Sequence, residues 1–289
     1  MPSLLDLRRR ISSVKNTQKI TKAMQLVAAS KMKKAQDAAL AGRPYAEELT
    51  KLIQSLMLHA GTSLQHPLAE ARPVKKICYI LFTADRGLCG GFNGNLIRHV
   101  AKKELIAGQA KCVIAVGRKG LAFFKNISDC PVEAEFDGLG DKPTFMQTVG
   151  IARVAVDGFL AGDWDEVKIV YGHFINTMLQ EVTELPLLPF SAPESAEAPA
   201  AASADYLFEP SPEAVLDRLI PRYLETQVWQ ALLESNASEQ SARMIAMKSA
   251  TDNAKDLQDD LTLVMNKARQ AQITKEISEI VGGAAALED

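Results

Sequence analysis

Small and apolar side chains recur at alternating steps of three and four residues along the N-terminal part of the chain. From Ser3 to Ala41 there is no glycine or proline. Positions 4, 7, 11, 14, 18, 21, 25, 28, 32, 35 and 39 read Leu, Leu, Ile, Val, Gln, Thr, Gln, Ala, Met, Ala and Ala. This spacing lines one side of an α-helix. The pattern predicts a long N-terminal helix over residues 1–58, with a narrow seam that packs on a partner helix.

The C-terminal part of the chain repeats this pattern. From Arg222 to Val281 there is again no glycine or proline, and positions 250, 254, 257, 261, 264, 268 and 271 read Ala, Ala, Leu, Leu, Val, Ala and Ala. An uninterrupted helix of this length would extend roughly 90 Å. We predict a helix over 210–289 whose seam closes through Leu257, Leu261 and Val264. Because both helices flank one central segment, the simplest arrangement pairs them as an antiparallel coiled coil.

The central segment, 75–190, has a different pattern. Helical patterns such as 144–162 alternate with short apolar runs at 75–84, 111–117 and 167–174. Strands that alternate with helices favour a mostly parallel sheet covered by helices. The fold class is therefore α/β, with this domain inserted between the two coiled-coil helices. A low-complexity Ala, Pro and Ser stretch follows it, and we predict a flexible exit loop over 191–209.

A second apolar stripe runs along the N-terminal helix beside its seam. The middle of the seam is small and polar, whereas Ile20, Met24 and Val27 lie off to one side. One partner helix cannot cover both stripes, and the chain offers no further helix long enough to do so. We therefore expect the second stripe to face another protein.

Charge and composition limit the kinds of protein that this chain could be. Residues 1–43 hold ten basic and two acidic side chains, a net charge of +8 within a chain of net charge −2. One end of the chain is thus expected to meet negative charge. No run approaches the roughly 18 apolar residues that span a bilayer. The four cysteines lie far apart, without the spacing of a metal site, and indicate unpaired thiols in a reducing cytosol.

Four glycines follow the first apolar run, in FTADRGLCGGFNGN at 82–95. A phosphate-binding loop presents backbone N–H groups to its anion and adds Lys and Ser/Thr at fixed offsets. Here the spacing is G-x-x-G-G-x-x-G, and Asn93 and Asn95 stand where a cation or hydroxyl would be needed. Glycines after a strand more often serve tight turns or close packing. We expect such a turn, with no nucleotide, cofactor or metal bound.

Five stretches of the sequence carry a family resemblance. They are TADRGLCGGFN (83–93), NTQKITKAMQLVAASKM (16–32), FINTM (174–178), ASEQSARMIAMKSATDNA (237–254) and NKARQAQITKEISEIVGGAAAL (266–287). In these stretches the chain closely resembles the γ subunit of the bacterial F-type ATP synthase. The resemblance reaches both termini and the domain between them.

The resemblance implies a non-catalytic rotor shaft that couples proton flow through the membrane sector to ATP synthesis. In that family the coiled coil stands inside a ring of α and β subunits, which bind the nucleotides. The Rossmann-like α/β domain lies at the foot, beside the ε subunit and the membrane c-ring. The chain is then expected to be peripheral, at the cytoplasmic face of the bacterial inner membrane. The paired-cysteine insert of the chloroplast relatives is absent, so no redox control is expected.

Matched positions imply the contact residues. Those expected on the surface that the ring senses are Lys22, Met24, Lys31, Glu239, Gln240, Arg243, Gln270 and Thr274. In the glycine loop, Asp85, Arg86 and Cys89 are expected to meet the lower part of a β subunit. The basic cluster of Lys31, Lys33 and Lys34, with Arg8 to Arg10, is expected to meet carboxylates of the ring. A solvated or intra-coil side chain remains the alternative for each.

The sequence leaves two alternative functions. An α/β enzyme that uses nucleotides would need ligand-binding residues at the strand ends. The four histidines are scattered, however, and no paired carboxylates stand out. A nucleic-acid or lipid binder could use the basic N-terminal end. That end has no aromatic residue before Tyr45 to stack on bases or to anchor at an interface. Both alternatives fit less well than the rotor shaft.

Overall fold

A computed structural model of the chain describes residues 3–60, 66–107, 110–127, 130–140, 143–190 and 212–288. The chain forms two compact units. One comprises the chain up to Val27 together with the chain from Met244 onward, and the other spans Ala28 to Arg243. Two long helices, α1 (Leu4–Ala60) and α5 (Pro212–Glu288), run through both units. The exit loop predicted for 191–209 lies outside the described residues.

The larger unit contains a five-stranded sheet of order β3-β2-β1-β4-β5. Its strands are β1 (Lys76–Phe82), β2 (Ala110–Val116), β3 (Val132–Phe136), β4 (Glu166–Phe174) and β5 (Gln180–Leu188). The first four are parallel, and β5 runs antiparallel to β4. The three predicted strands are confirmed as β1, β2 and β4. Two strands were missed: the alternating glutamates of β3 weaken its apolar signal, and Pro186 interrupts that of β5.

Helices cover both faces of this sheet. They are α2 (Phe92–Ala107), α3 (Arg118–Asn126) and α4 (Phe145–Ala161). One face packs on α4, and on the same face lie Ile53 of α1 and Leu224 and Val228 of α5. The other face packs on α2 and α3 through Leu96 and Phe124. The core of the α/β part therefore includes side chains from both long helices.

Helix α4 begins and ends where its sequence indicates. Thr144 caps the N-terminus in a capping box with Gln147, and Gly162 closes the C-terminus in the left-handed region, at φ +80°. Behind it, the indole N–H of Trp164 donates to the carbonyl of Ala155 at 3.1 Å. The close approach of that indole requires Gly158, because a Cβ there would lie 2.0 Å from the Trp164 ring. The helix predicted at 144–162 is confirmed.

The two long helices pair in antiparallel order. In the larger unit, Gln230 of α5 donates to the carbonyl of Ala39 in α1, while Tyr223 bonds to Thr50, further along α1. The seam predicted for α1 is confirmed, since every one of its positions from 4 to 39 is buried or partly buried.

The seam predicted for α5 is only partly confirmed. In the smaller unit Ala254, Leu261 and Ala268 are buried or partly buried, as predicted. Leu257 and Val264, however, are 49% and 47% exposed, and positions 247, 251, 258 and 265 face inward in their place. At the inward position 251, the hydroxyl of Thr251 contacts that of Thr21 at 2.8 Å. Each hydroxyl also bonds to a carbonyl of its own helix, Thr21 to Gln18 and Thr251 to Met247. Thr251 thus faces α1 here, and Leu257 lies on a different side of α5.

Tyr79 is expected to make the fold sensitive to alkali. Burial in β1, together with the nearby charges of Glu184 and Glu166, raises the pKa of its phenol to about 12. Because the folded state holds the proton more tightly, its contribution is complete below the usual pKa of about 10 and is lost as pH rises toward 12. Tyr79→Phe should reduce the fall in the free energy of unfolding between pH 9.5 and 11.5, measured by urea titration. An identical fall in parent and variant would contradict this.

Candidate functional site

The glycine loop, residues 83–91, is braced from within the larger unit by Asp85. Its carboxylate accepts the backbone N–H of Arg118, after β2, at 3.1 Å. Its second oxygen accepts the N–H of Gly138, after β3, also at 3.1 Å. One carboxylate therefore ties together the carboxyl ends of three neighbouring strands. This gives Asp85 an internal role that its sequence context did not indicate.

Asn93 and Cys89 close the other side of the glycine loop. The side-chain carbonyl of Asn93 accepts the N–H of Ala84 at 2.8 Å, and its amide group donates to Cys89 Sγ at 3.1 Å. Cys89 is buried, and burial raises the pKa of its thiol. Leu88 and Gly90 both have positive φ, +64° and +58°. The loop is thus a tight turn that presents Leu88 outward and keeps Cys89 inside.

Helix α5 crosses the carboxyl edge of the sheet next to the glycine loop. Its Leu232 belongs to the core on one face, whereas its Ala242 packs against the core on the other. Between them, Ser238 lies so close to β4 that a Cβ on Gly172 would be 3.2 Å from the Ser238 Cβ. In open α/β sheets ligands bind at this edge, where the strand order reverses. Here α5 occupies that crevice.

Arg243 links α5 to the glycine loop directly. Its guanidinium donates to the carbonyl of Gly87 at 3.5 Å and pairs with Glu239 at 2.7 Å. A small cleft of about 50 Å³ remains between the loop and α5, and both Asp85 and Glu239 line it. Two carboxylates disfavour a phosphate at this position. The chemistry of the cleft is therefore that of a packed junction, unlike a nucleotide site.

The predicted contact residues of the smaller unit lie on its surface. Lys22 is exposed and donates to the side chain of Gln25 at 3.3 Å, and Met24 is partly buried. Also exposed are Arg8, Arg9, Arg10, Gln270 and Thr274. Beside Met24, the two other members of the second apolar stripe, Ile20 and Val27, are exposed as well. Within this unit the stripe is available to another protein, as expected.

The contact residues predicted in the larger unit differ in their environments. Lys33 and Lys34 are exposed, with Lys33 paired to Asp37 at 3.0 Å, and Lys31 is partly buried. Arg86 is exposed beside the buried Cys89. Glu239 and Arg243 are partly buried and paired to each other.

The surface position predicted for Gln240 is corrected by the structure. Its side chain is only 3% exposed, in a stretch of α5 that packs against the sheet. The sequence signal was misleading because a polar residue in an amphipathic helix usually faces solvent. Here α5 is enclosed on several sides where it crosses the sheet edge.

Sequence reasoning also missed a polar cluster around Glu234 of α5, which joins Arg43 of α1 and His173 of β4. The available signal was a single acidic residue inside an apolar and small-residue run, QALLESNAS at 230–238. Such a residue is rarely buried unless it is paired.

No helix in the described part of the chain combines the length and the apolar character that crossing a membrane requires. Within the same residues, no three side chains of His, Cys, Asp or Glu are grouped so as to hold a metal ion.

Comparison with known proteins gives consistent matches along the whole chain. A family model described as ATP synthase matches residues 3–287. The ATP synthase gamma chain of Desulforudis audaxviator is 49% identical over 298 residues, covering 100% of both chains. That of Pelotomaculum thermopropionicum is 49% identical over 288 residues, with the same coverage.

Solved structures match as well. A chain in the central stalk and c-ring structure of the Tetrahymena thermophila mitochondrial ATP synthase is 27% identical, with a TM-score of 0.61 over 80% of this chain and 99% of that one. A chain of the Euglena gracilis mitochondrial ATP synthase has the same fold, at 19% identity, with a TM-score of 0.69 over 98% of this chain and 94% of that one. The resemblance is thereby confirmed, and the chain belongs to the family of ATP synthase gamma chains.

Proposed function

We propose that the chain is the central rotor shaft of an F-type ATP synthase. It couples proton flow through the membrane sector to ATP synthesis or hydrolysis by rotating inside a ring of α and β subunits. The observation that carries this proposal is the end of α5, where every described side chain from 269 to 281 is exposed. Ile273, Ile277, Ile280 and Val281 lie among them. A helix with this much exposed apolar surface needs a surrounding partner.

The chain itself performs no catalysis in this proposal, and nucleotides bind only to the α and β subunits. Two features support this. The glycine loop lacks the Lys and Ser/Thr of a phosphate loop, and α5 packs across the crevice where an α/β sheet would hold a nucleotide. The partners proposed are the α and β subunits, the ε subunit and the membrane c-ring. We place the chain at the cytoplasmic face of the bacterial inner membrane, as a peripheral protein.

The proposal is tested by exchanging the chain in a whole enzyme. Membrane vesicles would be prepared from cells in which this chain is the only gamma chain, and ATP-driven acidification of the vesicles would be followed with a fluorescent dye. Vesicles without any gamma chain serve as the control. We expect acidification only when the chain is present. A complex that incorporates the chain and hydrolyses ATP, yet moves no protons, would overturn the proposal.

The basic cluster of Lys31, Lys33 and Lys34 provides a prediction for the contact surface. We propose that these side chains meet carboxylates of the ring, each contact contributing about 0–1 kcal/mol because it is exposed and screened by salt. Single changes should therefore be mild. Reversal of all three lysines to Glu should lower ATP-driven acidification at low salt, and added salt should narrow the difference from the parent.

A matched triple change to Gln removes the charges without reversing them, so its effect should be smaller than that of the Glu variant. If the Glu variant acidifies the vesicles as well as the parent does at low salt, the three lysines are solvated side chains that do not meet the ring.

A further inference from the structure

One buried carboxylate in the larger unit has no part in the glycine loop or in the contact surfaces described above. It belongs to Glu234 of α5, whose side chain is only 8% exposed. Its neighbours Leu233 and Ser235 are buried too. A buried carboxylate is stabilised only by close partners of opposite charge and by hydrogen-bond donors. Its partners therefore show what the cluster does.

Three elements meet at this carboxylate. His173 of β4 contacts Oε2 through its Nδ1 at 2.5 Å. The Arg43 guanidinium of α1 lies 3.5 Å from Oε1. Gln230, one turn earlier in α5, donates to the same oxygen at 3.2 Å and also to the carbonyl of Ala39 in α1 at 3.2 Å. The sheet and both long helices are thus joined through one side chain.

The packing around the cluster holds these partners close together. Gly42 lets α1 approach α5, because a Cβ there would lie 3.0 Å from Gln230 Oε1. The ring of Tyr171 meets that of His173 edge-on, with ring centroids 6.4 Å apart. Burial, together with the nearby Glu234 charge, raises the pKa of Tyr171 to about 12. The phenol therefore stays neutral and adds no competing charge.

The hydrogen bonds and ion pairs of this cluster resist rotation of the two long helices against the sheet. The hydrophobic effect is non-directional, so apolar burial by itself does not fix the rotation of one packed element against another. Charge-assisted hydrogen bonds are directional and roughly twice as strong as neutral ones. A twist of α1 or α5 against the sheet would pull Glu234 away from Arg43 or His173 and leave a buried charge unpaired. The cluster consequently opposes such a twist.

We propose that Glu234 is a positioning residue that locks both long helices to the sheet. Rotation of the α/β part is then passed to the helices without slip. This proposal rests on the proposed rotor function. It assigns to Glu234 the transfer of rotation between the sheet and the two long helices. Another bond from this stretch of α5, from the Ser241 hydroxyl to the carbonyl of Thr177, joins α5 to the loop after β4 without involving α1.

The test uses the whole enzyme in membrane vesicles and measures proton pumping per ATP hydrolysed. Glu234→Gln keeps the size of the side chain and removes its charge. The control is Glu225→Gln, on the same helix, whose partner Arg222 lies within α5. We expect Glu234→Gln to lower pumping per ATP at least about twofold, since it removes the charge that assists both bonds and replaces one acceptor oxygen by a donor, and Glu225→Gln to leave it unchanged. A purely structural role would lower thermal stability and the amount of assembled enzyme but not this ratio.

A second pair of variants decides the matter if Glu234→Gln does not assemble. Arg43 is partly exposed, so its replacement should be tolerated: Arg43→Gln should lower the ratio and Arg43→Lys should restore it. If the parent is active and both Glu234→Gln and Arg43→Gln show normal pumping per ATP, the proposal for Glu234 is wrong and the rotor function still stands. If the parent chain itself restores no pumping, both the rotor function and the proposal for Glu234 are wrong.

Discussion

Replacing Gly117 by alanine is expected to destabilise the larger unit by about 3–4 kcal/mol. Gly117 joins β2 to α3 at φ +94°, a conformation that side chains with a Cβ rarely adopt. A Cβ at this position would lie 2.0 Å from the backbone carbonyl oxygen of Thr83, at the start of the glycine loop. The backbone cannot move away easily, because the Gly117 N–H donates to the carbonyl of Phe136 at 2.7 Å.

The control for this prediction is Gly94→Ala in α2, in the same glycine-rich segment of sequence. Nothing lies within 4 Å of a Cβ at Gly94, so alanine there should leave stability unchanged or raise it by about 0.4–1 kcal/mol. Urea unfolding followed by circular dichroism would compare the two midpoints. Equal midpoints for Gly117→Ala and the parent would mean that the junction beneath the glycine loop is far more adaptable than its geometry indicates.

Replacing Ala254 by aspartate is expected to weaken helix pairing in the smaller unit by about 2–4 kcal/mol. Ala254 is buried in the seam, one turn from the hydroxyl contact between Thr251 and Thr21. A carboxylate there would lose hydration without gaining a partner of opposite charge. Amide hydrogen exchange should become faster in residues 5–27 and 245–268, while the strands of the sheet keep their protection.

Leu257→Asp is the matched control, since it places the same side chain one turn away on the same helix. Leu257 is exposed within the smaller unit, so the isolated chain should tolerate the change. The seam read from the apolar pattern alone includes both Ala254 and Leu257, so it would make both changes disruptive. If Leu257→Asp loosened the helices as much as Ala254→Asp, the outward position of Leu257 would be contradicted.

The candidate contact residues were identified from the sequence by resemblance, but their environments depend on neighbours distant in the chain. Gln240 shows the difference most clearly: it was expected on a surface and is buried where α5 crosses the sheet edge. Asp85 lies in the expected loop, yet its carboxylate bonds to the N–H groups of Arg118 and Gly138. Contact of these residues with a ring of subunits remains a prediction.

The sequence pattern alone predicted the elements whose structure depends on residues close together in the chain. The seam of α1 follows from helical periodicity, and α4 follows from its apolar face with Thr144 and Gly162 at its two ends. The strands β1, β2 and β4 are buried on both faces and therefore read as continuous apolar runs. The missing lysine and hydroxyl of the glycine loop were likewise readable from the sequence.

Only the tertiary structure decided features that depend on contacts between distant segments. The register of α5 on α1 and the cluster at Glu234 belong to this group. In the cluster, a buried carboxylate needs partners, and Arg43 and His173 lie far away in the sequence. Hydrophobic periodicity shows which side of a helix is apolar, but it does not show which distant hydroxyl or carboxylate will turn a polar residue inward.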